Sequence, residues 1–150
     1  NDLEQLRSEL AEQGYLRLLR RKGKPPKSLP PMEFTASDGT RILVGRNNRQ
    51  NDQLTLKTAN KNDIWLHTQN IPGSHVILET SGKEPSQKVL EEAAQLAAYH
   101  SKARDSAQVP VDYCPVRYVK KPAGAKPGMV IFTNQHTLYV KPKQGHLSEE

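Results

Sequence analysis

The chain has 150 residues, 35% of them hydrophobic, with a single cysteine and a formal net charge of +6 at pH 7. That length allows one packed domain with an appendage, and the mean hydropathy of -0.77 assigns much of the chain to surface, arm or loop. One cysteine, Cys114, excludes an internal disulfide and fits a reducing compartment, and no apolar run reaches membrane-spanning length.

No secretory leader is read at the N-terminus, and a start at Asn1 reads as a fragment. The basic balance, with a pI near 9.5, favours polyanionic partners such as nucleic acid, heparin-like glycans or an acidic surface.

In chain order, residues 2–13 read as a helix, with Leu3, Leu6 and Leu10 as a heptad-like stripe and Gly14 as its stop. Too short to be stable alone, this segment (1–14) is expected to be the end of a coiled coil. Residues 17–27 carry six Lys or Arg and no acid, and Pro25, Pro26, Pro30 and Pro31 follow. This is the pattern of an extended, solvated linker over 15–31. The globular domain is expected over 32–143, with a tail at 144–150.

Residues 32–37 and 40–46 flank Asp38-Gly39, a dipeptide that suits a type I′ hairpin turn. The next stretch, 45–52, has no apolar side chain beyond a glycine. Its Arg46, Asn47, Asn48, Arg49 and Asn51 suit contacts to phosphate, sugar and base edges. They equally suit a plain loop leading into a short helix over 52–60, capped at Asn51 or Asp52 and carrying Leu54 and Leu56.

Residues 62–76 hold the only Trp and two of the five His. Strand alternation puts Ile64 and Leu66 on one face and Asp63, Trp65 and His67 on the other. After the turn at Pro72-Gly73, a hairpin with His67 opposite His75 places Trp65 opposite Ile77 and Asp63 opposite Glu79. One face is apolar. The other, with Trp65, His67 and His75 and with Ser74 beside the turn, is either a packing surface or a face that stacks on and hydrogen-bonds to bases. The two His lack a third ligand at metal-site spacing.

Ser86 is an expected N-cap for the longest helix, running to about Ala103, with Val89, Leu90, Ala93, Leu96, Ala97 and His100 as its buried stripe. Residues 111–119 read as a strand that Pro115 should keep at an edge or bulge. Residues 120–128 read as a flexible basic loop in which Lys120, Lys121 and Lys126 offer point charges; it lacks the Walker pattern. A last hairpin is expected to pair 129–132 with 137–140. The sum is α+β: a mainly antiparallel sheet of about seven strands, built from hairpins and covered by one long helix.

The blocks G-R-N-N-R-Q-N-D, N-D-I-W-L-H, I-P-G-S-H-V, A-A-Q-L-A-A-Y-H-S-K-A-R, V-P-V-D-Y and K-K-P-A-G-A-K-P-G-M-V-I-F stand in one order between about Asp38 and Pro142. Together they resemble the C-terminal R domain of the NFACT family, whose bacterial members include ribosome-quality-control factors and fibronectin-binding proteins. The resemblance implies a cytoplasmic RNA-binding module. Its partners would be the obstructed large ribosomal subunit and tRNA, in support of C-terminal alanine tailing. It also implies the alternative of a surface adhesin that binds host fibronectin. The residues expected to meet RNA are Arg46, Asn47, Asn48, Arg49, Asn51, Trp65, His67, Ser74, His75, Lys120, Lys121 and Lys126. No cofactor, metal or catalytic residue is expected, and none of the residues reads as an enzyme's nucleophile or carboxylate pair.

Overall fold

The computed structural model describes residues 29–144 and the backbone of a short strand at 148–149. The helix expected at 2–13 and the linker expected at 15–31 lie almost wholly outside the described residues. The unit from Pro31 onward is α+β.

Its strands are β1 (Met32–Thr35), β2 (Arg41–Val44), β3 (Ile64–Thr68), β4 (Val76–Leu78), β5 (Val109–Pro115), β6 (Val119–Lys120), β7 (Ile131–Phe132), β8 (His136–Val140) and β9 (Ser148–Glu149). Helix α1 (Asn48–Gln53) runs into a π-turn at Leu54–Thr58, and α2 spans Gln87–Tyr99. Seven strands form one sheet in the order β8-β5-β3-β4-β2-β1-β9, and β6 pairs with β7 in a second small sheet. Every pairing is antiparallel.

The central hairpin has the register that alternation predicts, with Trp65 opposite Ile77 and Leu66 opposite Val76. Successive strand residues point to opposite faces. Val76, Ile77 and Leu78 are nevertheless all fully buried, so the sheet is covered on both sides. On one side α2 packs Val89, Ala93, Leu96 and Ala97 against Ile42, Val44, Leu66 and Leu78. Ser86 caps this helix by accepting from Val89 N–H at 3.2 Å. The helix ends at Tyr99, short of the expected Ala103. There Ser74 N–H takes the His100 carbonyl and Lys102 N–H takes that of Pro72, so the Pro72 turn captures the chain.

On the other side Leu43, Trp65, Ile77 and Cys114 meet Leu54, Val116 and Val119, with Phe132 and Tyr118 at the margin. The cover here is α1 with its π-turn and the β6–β7 pair. It explains two departures from expectation. Residues 129–132 do not pair with 137–140: β7 pairs with β6, where Phe132 reaches Trp65 at 4.7 Å between ring centroids, while β8 returns to pair with β5. The strand expected over 111–119 also breaks, because after Pro115 a 3₁₀ turn (Val116–Tyr118) lifts the chain off the sheet into the cover. β5 is interior rather than an edge, and Pro115 is its last residue.

The first turn differs in type. Gly39 N–H bonds the Ala36 carbonyl and Ala36 N–H bonds that of Thr40. Only Gly39, at φ 91°, is left-handed in that loop. This is a three-residue loop with a glycine bulge, not a two-residue type I′ turn.

Trp65, 1% exposed, is the largest fully buried side chain. Truncating it removes the floor on which the second cover rests. Trp65→Ala is expected to destabilise the domain by about 3–5 kcal/mol, measured as a lowered midpoint in urea followed by far-UV circular dichroism.

Candidate nucleic-acid interface

The polar stretch at 45–52 forms its helix earlier than expected. Asn47, not Asn51 or Asp52, is the N-cap: its side-chain oxygen accepts from Gln50 N–H at 2.8 Å. Gln50 reaches back to accept from Arg46 N–H at 2.6 Å, which ties the residue before the cap to the first turn, a variant of the capping box. Starting at Asn48 turns Asn51 and Leu54 inward. Asn51 is 3% exposed, and its side-chain oxygen accepts from His75 N–H at 3.2 Å. Arg46, Asn47, Asn48 and Arg49 stay exposed.

His75 bolts this helix to the basic loop. Its Nε2 faces the Gly128 carbonyl at 3.1 Å and its Nδ1 faces Thr55 Oγ1 at 2.8 Å. A carbonyl only accepts, so Nε2 carries the proton and Nδ1 accepts from the hydroxyl. Asp52 completes the junction: Oδ1 accepts from Gly128 N–H at 3.0 Å and Oδ2 pairs with Lys121 at 3.1 Å. Lys121 Nζ also donates to the carbonyls of Lys126 at 2.5 Å and Met129 at 3.1 Å. Gly128, at φ 85°, is the point of closest approach. A Cβ there would stand 2.7 Å from Asn48 Oδ1. Residues 120–128 are thus a docked loop rather than a free one.

These bonds sort the expected contacts. Arg46, Asn47, Asn48, Arg49, Lys120 and Lys126 are exposed. Asn47 is also the cap, and Lys121 is committed to Asp52 and two carbonyls. Asn51 and His75 are internal ties. Trp65 is walled in by His75 edge-on at 5.5 Å, His67 stacked at 5.8 Å and Phe132, so it offers no ring face to a base. His67 is half-buried beside it, and Ser74 is half-buried with its N–H on the His100 carbonyl. The face that sequence alternation marked as polar and aromatic is therefore the inner surface of a second core.

Lys57, Lys61 and Arg117 were not singled out from sequence, yet they are exposed on the same cover. The signal that finds them is charge summed by layer. Residues 45–63 and 116–132, which make the cover and its approach to β3, carry eight Lys or Arg against two Asp. The remainder of 31–144 carries seven basic residues against eight acidic. The positive excess of the described domain thus lies on this one side. Of the two Asp, Asp52 is paired with Lys121 and Asp63 is buried, accepting from the N–H groups of Asn60 and Ser81.

Two groups with reactive side chains are muted by burial. It pushes the Cys114 thiol up to about 12, helped by Asp112. It also holds His75 down to about 4, helped by the neighbouring charge of His67 and opposed by the Gly128 carbonyl; His67 is lowered too, again by burial first. A histidine whose folded value lies below its unfolded 6.5 takes up its proton more readily when unfolded. Its stabilising contribution is complete above pH 6.5 and is lost as pH falls toward 4. Stability should drop by about 2 kcal/mol from His75 alone between pH 7 and pH 5. Urea unfolding at the two pH values measures this, and His75→Gln should lower stability at pH 7 while flattening the dependence.

Comparison with known proteins places this geometry among relatives. Residues 31–134 match the family described as NFACT protein RNA binding domain. The chain is 51% identical to the Rqc2 homolog RqcH of Bacillus subtilis over 144 residues, 94% of this chain and 25% of that protein. It is 46% identical to the Rqc2 homolog RqcH of Streptococcus suis, covering 95% of this chain and 26% of that protein. The chain thus spans about a quarter of the length of these relatives. Among solved structures, the C-terminal part of the fibronectin/fibrinogen-binding protein from Streptococcus suis superposes with a TM-score of 0.77 at 47% identity. That match covers 93% of this chain and 56% of the other.

Proposed function

Because the chain belongs to the NFACT family and carries its RNA-binding domain, we propose that it binds RNA through the basic cover and does no bond-making chemistry of its own. The observation that carries the reading is the segregation of charge. Eight cations against two acids occupy 45–63 and 116–132, and the rest of the domain is nearly neutral. A one-sided excess of exposed Lys and Arg is the footprint of phosphate binding. The amides of Asn47 and Asn48 at its centre add groups able to meet ribose and base edges.

The finer part of the reading follows the family resemblance. Within a longer protein, the domain would contact tRNA and the obstructed large ribosomal subunit in the cytoplasm, in support of C-terminal alanine tailing. The fibronectin reading rests on the family resemblance and on the name of one structural neighbour. It has no comparable support in the charge pattern, since strand addition would use a sheet edge rather than this cover.

The test is fluorescence anisotropy of labelled tRNA at several salt concentrations. Arg46→Ala/Arg49→Ala and Lys120→Ala/Lys126→Ala should each weaken binding about tenfold or more at low salt, and each should lower the salt slope by about 1.5. Variants of Lys83 and Lys88, outside the cover, should change it little. Unaltered tRNA binding in both double variants, or salt-tolerant binding of a fibronectin fragment with none of tRNA, would overturn the proposal.

A further inference from the structure

A groove of about 940 Å³ opens where β5, β8 and the first turn of α2 meet. Tyr113, Tyr118, Arg117, Gln135, His136 and Glu84 are among its lining residues. Its size falls in the range of small-ligand sites, roughly 300–1,000 Å³. Tyr113 and His136 are cross-strand partners with ring centroids 5.6 Å apart and planes inclined by 35°. Across the groove's lining the Arg117 guanidinium lies over the Tyr118 ring at 5.5 Å and donates to the Asn62 side chain at 2.9 Å. Both tyrosines are half-buried, while His136, Gln135, Arg117 and Glu84 are exposed. Tyr113 packs against the α2-side core and Tyr118 against the second core, yet each stays partly exposed and lines the groove together with His136.

We infer that this groove takes one unpaired RNA base, guanine in preference to uracil, while the flanking phosphates rest on the basic cover; the inference builds on the RNA-binding reading above. The rings supply stacking surfaces, which every base can use. Arg117 belongs both to the groove and to the cationic stretch at 116–132, so the groove is continuous with the phosphate track. Glu84 sets the polarity: a carboxylate repels a phosphate, so the backbone stays outside and the base enters. An ionised carboxylate only accepts. Guanine presents N1–H and N2–H together on its pairing edge, whereas uracil presents one N–H between two carbonyl oxygens that a carboxylate disfavours. The Gln135 amide can donate to the guanine O6.

The experiment uses the whole chain and three labelled RNAs: a short oligouridine, the same strand with one central guanosine, and a blunt duplex. Anisotropy should give about tenfold tighter binding of the guanosine strand than of oligouridine. Glu84→Gln should remove most of that difference, and His136→Ala should weaken both single strands by a similar factor. Both positions are exposed, and circular dichroism checks that the fold is kept. Arg46→Ala/Arg49→Ala should weaken all three RNAs alike. Equal affinity for the two single strands, a preference untouched by Glu84→Gln, or single-strand affinities untouched by His136→Ala overturns the groove inference and leaves the RNA-binding reading standing. Failure of all three RNAs to bind overturns both.

Discussion

The structure depends on the need to cover Trp65. Three consecutive residues of β4, Val76 to Leu78, are wholly buried, and a sheet in that state must be shielded on both faces. The α2 side is an ordinary apolar helix on an apolar sheet. The Trp65 side is different, because its cover comes from stretches with few apolar residues. Leu54, Val116, Val119 and Phe132 do the packing. Burying side chains of that size stabilises by about 1.5–3 kcal/mol each, far more than a partly exposed ion pair such as Asp52–Lys121 contributes. The ion pair and the His75 bonds fix where the cover sits; the apolar anchors hold it down.

That division of labour leaves the outer surface of the cover free for charge. A layer held by four apolar anchors can carry cations on its outward side without losing its seat. The His75 junction gives the arrangement its geometry, since Thr55 and Gly128 meet its imidazole and the Asn51 side chain accepts from its backbone N–H. Arg46 just before the cap of α1, Arg49 within α1, and Lys120 and Lys126 in the docked loop therefore stand in fixed relation. A preorganised cationic surface loses less conformational entropy on binding than a set of floppy lysines.

The sheet was readable in the sequence where alternation is strong. The β1–β2 pair, the Trp65–Ile77 register and the Ser86 cap follow from local pattern and cap chemistry. What local pattern does not carry is which strands stay together after a break. β7 pairs with β6 because Phe132 is drawn to Trp65, a contact across 67 positions that no turn signal between 133 and 136 announces. Asn51 reads as a surface amide and is buried, because the cap lies at Asn47 and rotates the helix. For the site, the basic residues were legible as composition. Their gathering on one layer was not, since the 120–128 loop is joined to α1 by contacts distant in sequence, Gly128 with Asp52 and His75 and Lys121 with Asp52. Trp65 and His75 drew notice for their chemistry, and the structure uses that chemistry to attach the layer.

The most direct measurement is amide chemical-shift mapping of the isotopically labelled chain titrated with tRNA. The largest shifts should fall within 45–61 and 116–132, with the outer surface of α2 at Lys88 and Glu91 unmoved. Shifts centred on α2 or on the β8 edge, with the cover silent, would contradict RNA binding through the cover.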